Sequence, residues 1–154
     1  MADSQGKLPG WRTALAAWAP ALLWATVIFG LSSIPGDAFP RLPTSWWNAD
    51  KLVHGVVYAI LGALCWRGAR RTVARDRGNT YQVLAAVVFT TVFGISDELH
   101  QAFTPFRSPD AFDVIADAVG GLAGAFGCVA IVARKRTNNS STSRGGSAAR
   151  GVDG

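Results

Sequence analysis

The chain has 154 residues, a net charge of +5, 49% apolar residues and only 16% charged ones. That is one domain's worth of chain, with too little charge for an ordinary water-soluble surface, where about 25% is usual. The basic residues border apolar blocks and no nucleic-acid-binding motif is present, so no nucleic-acid partner is expected; the expected partner is a lipid bilayer.

Residues 1–10 are polar, with Gly and Pro, and are expected to form a disordered head. The first apolar block runs from about Trp11 to Ser33. Lys7 and Arg12 precede about 20 uncharged residues, enough to cross a bilayer core at about 1.5 Å per residue. The run is long for the apolar part of a signal peptide and no Ala-x-Ala site follows, so a retained helix is expected. Pro20 lies inside it and is a candidate kink. Residues 34–49 carry three prolines and the Trp46-Trp47 pair, which suits a loop lying in the headgroup zone.

The second block, about Asp50 to Trp66, reaches the lower limit for a span, with Asn48 or Asp50 able to cap its start. Five arginines follow between residues 67 and 77. The third block runs from about Thr80 to Phe103, apolar at first and charged in its last turns. Two prolines in residues 104–109 end it. The fourth block runs from about Asp110 to Ala133 and opens on three aspartates. Residues 134–154 are rich in Ser, Gly and Arg and are expected to be a disordered basic tail. Cys65 and Cys128 are isolated in apolar blocks, with no CxxC or zinc spacing, and are expected to be reduced and buried.

With four spans, 12 of the Lys and Arg residues fall on the side of the termini and 3 on the other. Positive residues stay inside, so both termini are expected in the cytoplasm. Seven of the ten acids then face outward.

Residues 94–117 hold five of those acids between very apolar flanks, and charge beside a lipid-like run is costly. Asp50 and His54 are spaced i, i+4, with Tyr58 continuing the line. Asp97 and Gln101 are also i, i+4, with Glu98 beside them. Asp110, Asp113 and Asp117 are i, i+3, i+7. Residues three or four apart share one helix face, so three polar faces at one depth should turn toward each other and away from lipid. Asp117 lies about 10 Å below the start of its helix by helix rise and should be protonated or paired with Lys51, Arg107 or His54. Ala116, Gly120 and Gly124, with Gly121 and Ala125, form small-residue rows suited to close helix packing.

Three readings of the acids overlap. Helix capping suits Asp50 and Asp110 but not Asp97, Glu98 or Asp117. A divalent-metal site has suitable ligand types, but no HExxH-like motif supports it and no metal or other cofactor is assigned. An acid–base or substrate pocket would use His54, the side-chain type that titrates near neutral pH. His100 lies off the Asp97 row and is expected at the interface, and Ser32 and Ser33 lie close enough to lend a hydroxyl.

The ordered set Ser32-Ser33-x-Pro35, Asp50-Lys51-x-x-His54, Asp97-Glu98-x-x-Gln101-x-Phe103-x-Pro105-x-Arg107 and Asp113-x-x-x-Asp117-x-x-Gly120 resembles the VanZ-like family of small bacterial membrane proteins. The resemblance covers about residues 20–130. It departs at Asp117, where family members often carry Asn. It implies a role at the cell envelope, since the best-known member is associated with low-level teicoplanin resistance, but it brings no established reaction or catalytic residue.

The expectation is therefore an all-α bundle of four transmembrane helices filling residues 11–133, with a polar pocket at the outer ends of the second, third and fourth helices. That pocket would take a lipid-linked or cell-wall substrate. His54, Asp97, Glu98 and Asp113 are the candidate chemical groups. Asp50, Lys51, Gln101, Arg107 and Asp117 are the candidate binding groups, with the planar Arg107 fork the better anion clamp. A non-enzymatic binding module and half of a proton-coupled transporter are the alternatives.

Overall fold

The computed structural model describes residues 10–38, 47–72 and 77–148. Every regular element among them is helical: α1 is Gly10–Ser32, α2 Trp47–Arg71, α3 Asn79–Gln101 and α4 Ala111–Ala148, with a single 3-10 turn at Gly36–Ala38. Each of the four α-helices is long and apolar enough to cross a membrane. At 23 residues, α1 and α3 reach about 35 Å, slightly more than a hydrocarbon core.

The boundaries depart from the apolar blocks for physical reasons. α2 begins at Trp47, which an expected surface loop included, and runs on to Arg71 through Arg67 and Arg70. Arginine is a good helix former, so charge ends the lipid-facing stretch without ending the helix. α4 likewise continues past Ala133 to Ala148, with Arg134, Lys135 and Arg136 exposed along it. Residues 134–148 are thus helical where composition alone suggests disorder. α1 passes through Pro20 without a break. The head, residues 1–9, and Trp46 lie outside the described residues.

Burial is inverted relative to a water-soluble domain. Leu23, Val56, Val92, Phe126 and Ile131 are exposed, whereas Asp97, Glu98, Thr90, Gln101 and Asp117 are buried. Lipid accounts for that: apolar side chains are at no loss on its side, while polar groups must turn inward. The apolar core is thin: four alanines, Ala21, Ala25, Ala86 and Ala125, pack with Ile28, Val83, Tyr58, Leu61, Cys65 and Trp66. Neither cysteine is in a disulfide; Cys65 is buried and Cys128 half-buried.

α2 and α4 form the most extensive helix pair, and glycine makes it so. A methyl added to Gly62 would run into the Gly121 backbone. One added to Gly120 would meet the Gly55 carbonyl, and one added to Gly124 the Ala59 carbonyl. Backbones therefore touch along the seam, as small residues at four-residue spacing permit. α1 is attached by side-chain bonds: Trp24 Nε1 donates to the Val57 carbonyl (3.0 Å) and Trp18 Nε1 to Thr72 Oγ1 (2.9 Å).

These contacts bring four chain segments to one end of the bundle: the end of α1, the start of α2, the end of α3 and the start of α4. The turn between α3 and α4 is tied back to α1 there. Gly36 N–H donates to the Pro105 carbonyl (3.1 Å), and Arg107 Nε donates to the Ile34 carbonyl (3.3 Å). In this turn Phe106 has a positive φ of 58°, a strained position for an aromatic residue. At the opposite end, a cleft of about 700 Å³ is lined by Thr13, Ala16, Ala17, Trp66, Arg67, Arg70 and Arg71.

Candidate functional site

The helical spacings do what periodicity requires: the polar faces of α2, α3 and α4 meet. Lys51, in the first turns of α2, donates through Nζ to Asp110 Oδ2 (2.7 Å) and to Asp113 Oδ1 (2.6 Å). One turn further along α2, His54 Nδ1 lies 3.0 Å from Asp117 Oδ1. The Asp117 side chain is almost completely buried (1% exposed), and this imidazole is the partner that lets a carboxylate sit so deep. The His54 ring in turn lies parallel to Tyr58, the next residue on the same face, with centroids 6.4 Å apart.

α3 supplies the third wall. Asp97 Oδ2 accepts from Gln101 Nε2 (3.2 Å), the i+4 neighbour, and from Ser32 Oγ at the end of α1 (2.7 Å). Glu98 Oε2 accepts the backbone N–H of Asp110 (2.8 Å). Acids at a helix C-terminus oppose its dipole, and this contact shows why Glu98 is tolerated. It reaches across the turn to the N-terminal end of α4, where the dipole favours negative charge. Asp110 completes that end by accepting the Phe112 N–H through its own Oδ1 (2.9 Å), an N-cap. Asp110 lies just outside the span; the Lys51 ammonium, and then the Phe112 N–H, hold its carboxyl below the usual carboxylate range.

Not every polar atom is provided for. Asp97 Oδ1, Glu98 Oε1 and Asp117 Oδ2 are buried without a hydrogen-bond partner in the chain. Each such atom costs about 1–3 kcal/mol if left unpaired. Asp117 Oδ2 lies directly over Gly94 of α3: a Cβ at that position would be 2.7 Å from it. Gly94 thus makes the room for the acid. One ligating atom each from His54, Glu98 and Asp113 lie within 4.8 Å of one another.

Of the residues nominated from sequence, Lys51, His54, Asp113 and Asp117 are joined by direct contacts between α2 and α4, and Glu98 reaches Asp110 at the entry to α4. Asp97 and Gln101 pair with each other and with α1. Arg107 uses Nε and Nη2 on the carbonyls of Ile34 and Leu31, so at least part of its fork ties the α3–α4 turn to α1. Asp50 belongs to the first turn of α2, with its side chain outside the described residues. His100 stacks on Phe29 (centroids 4.3 Å) and has Nε2 3.0 Å from Ser33 Oγ, beside the cluster of carboxylates and not in it.

Sequence reasoning gave Ser32 no firm place, yet its hydroxyl holds Asp97. The available signal was a serine at the end of a span beside an acid-bearing helix. Gly94 carries no chemical signature in the sequence, since a glycine in an apolar helix has none until the facing residue is known.

A model of the VanZ/LLP1 family matches residues 17–133. No curated protein matches the chain. No solved structure matches it either.

Proposed function

The chain belongs to the VanZ/LLP1 family, its four apolar helices make it a multi-pass membrane protein, and from that premise we propose that it works at the cell envelope. The carboxylate cluster at the joined ends of α2, α3 and α4 receives the polar headgroup of a lipid-linked or cell-wall substrate from the outer face of the plasma membrane.

The observation that carries this reading is the cluster itself. Asp97, Glu98 and Asp117 are buried, each with an unpartnered oxygen, between helices whose outward faces along the spans are apolar. A bilayer makes such groups costly, and neither capping nor pairing accounts for the oxygens left over. The outward orientation is supported by the distribution of basic residues, 12 against 3. The link to a glycopeptide such as teicoplanin comes from the family alone and is part of the proposal.

The test is complementation in a strain where loss of the protein changes growth under envelope stress, teicoplanin included. His54→Ala and Glu98→Gln are expected to insert normally and to fail to restore the wild-type phenotype. Full restoration by both would overturn the reading. It would favour instead a non-enzymatic partner module, for which the Lys51 pairs with Asp110 and Asp113 are internal glue. Orientation is checked separately. A cysteine placed at the exposed Asp37, with Cys65 and Cys128 replaced, should react with an impermeant thiol reagent added outside intact cells.

A further inference from the structure

We propose that His54, Glu98 and Asp113 bind a divalent transition-metal ion, with Zn2+ the ion the donor set favours. The proposal concerns the same cluster but rests on its geometry and not on any substrate.

Three observations converge. The first is proximity: ligating atoms of the three residues, one from each helix, stand within 4.8 Å of one another. Donors about 2.0–2.2 Å from one tetrahedral ion lie roughly 3.3–3.6 Å apart, so side-chain rotations that bring these atoms closer by up to about 1.5 Å close the set. The second is how each residue is held. Asp113 is fixed through Oδ1 by Lys51, and Glu98 through Oε2 by the Asp110 N–H. His54 has its Nδ1 against Asp117 Oδ1. A carboxylate behind an imidazole is the arrangement that sets the tautomer and orientation of a metal-binding histidine.

The third observation is independent of proximity. Glu98 is only 6% exposed, and its Oε1 is buried without a partner. A carboxylate held by one oxygen with the other unpaired is costly unless a proton or a cation meets it. The local charge points the same way. Asp97, Glu98, Asp110, Asp113 and Asp117 gather around a single ammonium, Lys51, and one imidazole. With His54 neutral, as a ligand must be, a 2+ ion offsets about half of the excess. Imidazole with carboxylates favours a transition metal over Ca2+ or Mg2+, which prefer oxygen alone. Three protein donors leave a position on the ion for a water or for an oxygen anion of the kind a phosphate or carboxylate headgroup presents. His54, which sequence reasoning put forward as a proton carrier, becomes a ligand.

The experiment is Zn2+ uptake by the tag-free, full-length chain in detergent micelles, by equilibrium dialysis and metal analysis. Wild type is expected to bind one Zn2+ per chain, retained against excess Mg2+. His54→Ala and Glu98→Gln should each weaken binding by at least about 100-fold, beyond the ~10–100-fold typical when only an orienting partner is lost. Asp117→Asn, which still offers His54 an acceptor, should weaken it by about tenfold. His100→Ala removes the only other histidine and should bind as wild type. Wild type taking up no more Zn2+ than empty micelles would overturn the proposal without recourse to a variant, as would unchanged binding by His54→Ala. Zn2+ uptake is read without a substrate and complementation without added metal, so the two proposals fail separately.

Discussion

The two ends of this bundle solve the problem of charge next to lipid in opposite ways. At one end, acids are pulled between the helices and held by Lys51, His54, Ser32 and the start of α4. At the other, arginines line an open cleft. Arg70 sets its guanidinium over the Trp66 ring (5.2 Å) and Arg67 reaches the Ala17 carbonyl through Nη1 (3.5 Å). Arginine can snorkel; a short aspartate two turns inside a helix cannot. The carboxylate end must therefore be built to fit, residue against residue, and the arginine end need only be near the interface. Construction of that kind is what the proposed site rests on, whereas basic residues at a helix end are what membrane insertion alone produces.

That contrast can be broken at its cations first. Lys51→Met leaves Asp113 and Asp110 without their ammonium and should lower stability by about 2–3 kcal/mol. That is less than the ~3–5 kcal/mol for a fully buried pair, since Lys51 keeps a quarter of its side chain exposed. Arg70→Ala at the other end should cost no more than about 0.5–1 kcal/mol. Unfolding midpoints of the two variants in SDS–detergent mixtures measure the difference; equal losses would remove the distinction between the ends.

The glycines sharpen it next. Gly94→Ala pushes a methyl onto Asp117 Oδ2, and Gly68→Ala pushes one to 2.9 Å from the Trp18 ring. Both should cost about 1–3 kcal/mol by overpacking. Only Gly94→Ala should impair complementation, because only there does the displaced group belong to the cluster.

The smallest effect is in pH. Asp110 has its carboxyl lowered by Lys51, so it binds fewer protons folded than unfolded near pH 4. Its contribution is fully present above the ordinary carboxylate range and disappears as pH falls through the depressed value. Stability of wild type and Asp110→Asn should thus run parallel from pH 9 to about 5 and converge only below about pH 4.

Much of this was legible in the chain. The four spans follow from block length, and the meeting of three polar faces follows from i, i+4 spacing and the cost of facing lipid. His54 could be placed with Asp117 as one of three candidate partners, the one the structure selects. What spacing cannot supply is which partner an acid takes across the bundle. Ser32 and Asp97 are 65 positions apart in the sequence, and Lys51 and Asp113 are 62 apart. Glu98 looked misplaced because a helix was weighed alone; it serves the next helix. α2 and α4 outrun their apolar blocks for a related reason. Hydropathy marks where lipid stops, and a helix has no obligation to stop there.

The glycine seam between α2 and α4 has a mechanical consequence. With Gly62 on Gly121, Gly120 on Gly55 and Gly124 on Ala59, the two backbones are keyed together like a zip. Sliding by one turn, about 5.4 Å, would set Ala116 or Cys128 where a glycine now faces a carbonyl. Lys51 and His54 ride on one half of that zip, Asp113 and Asp117 on the other. Their separations are thereby set by main-chain contact along the span and not by the side chains alone. The pair behaves as a caliper locked at one opening.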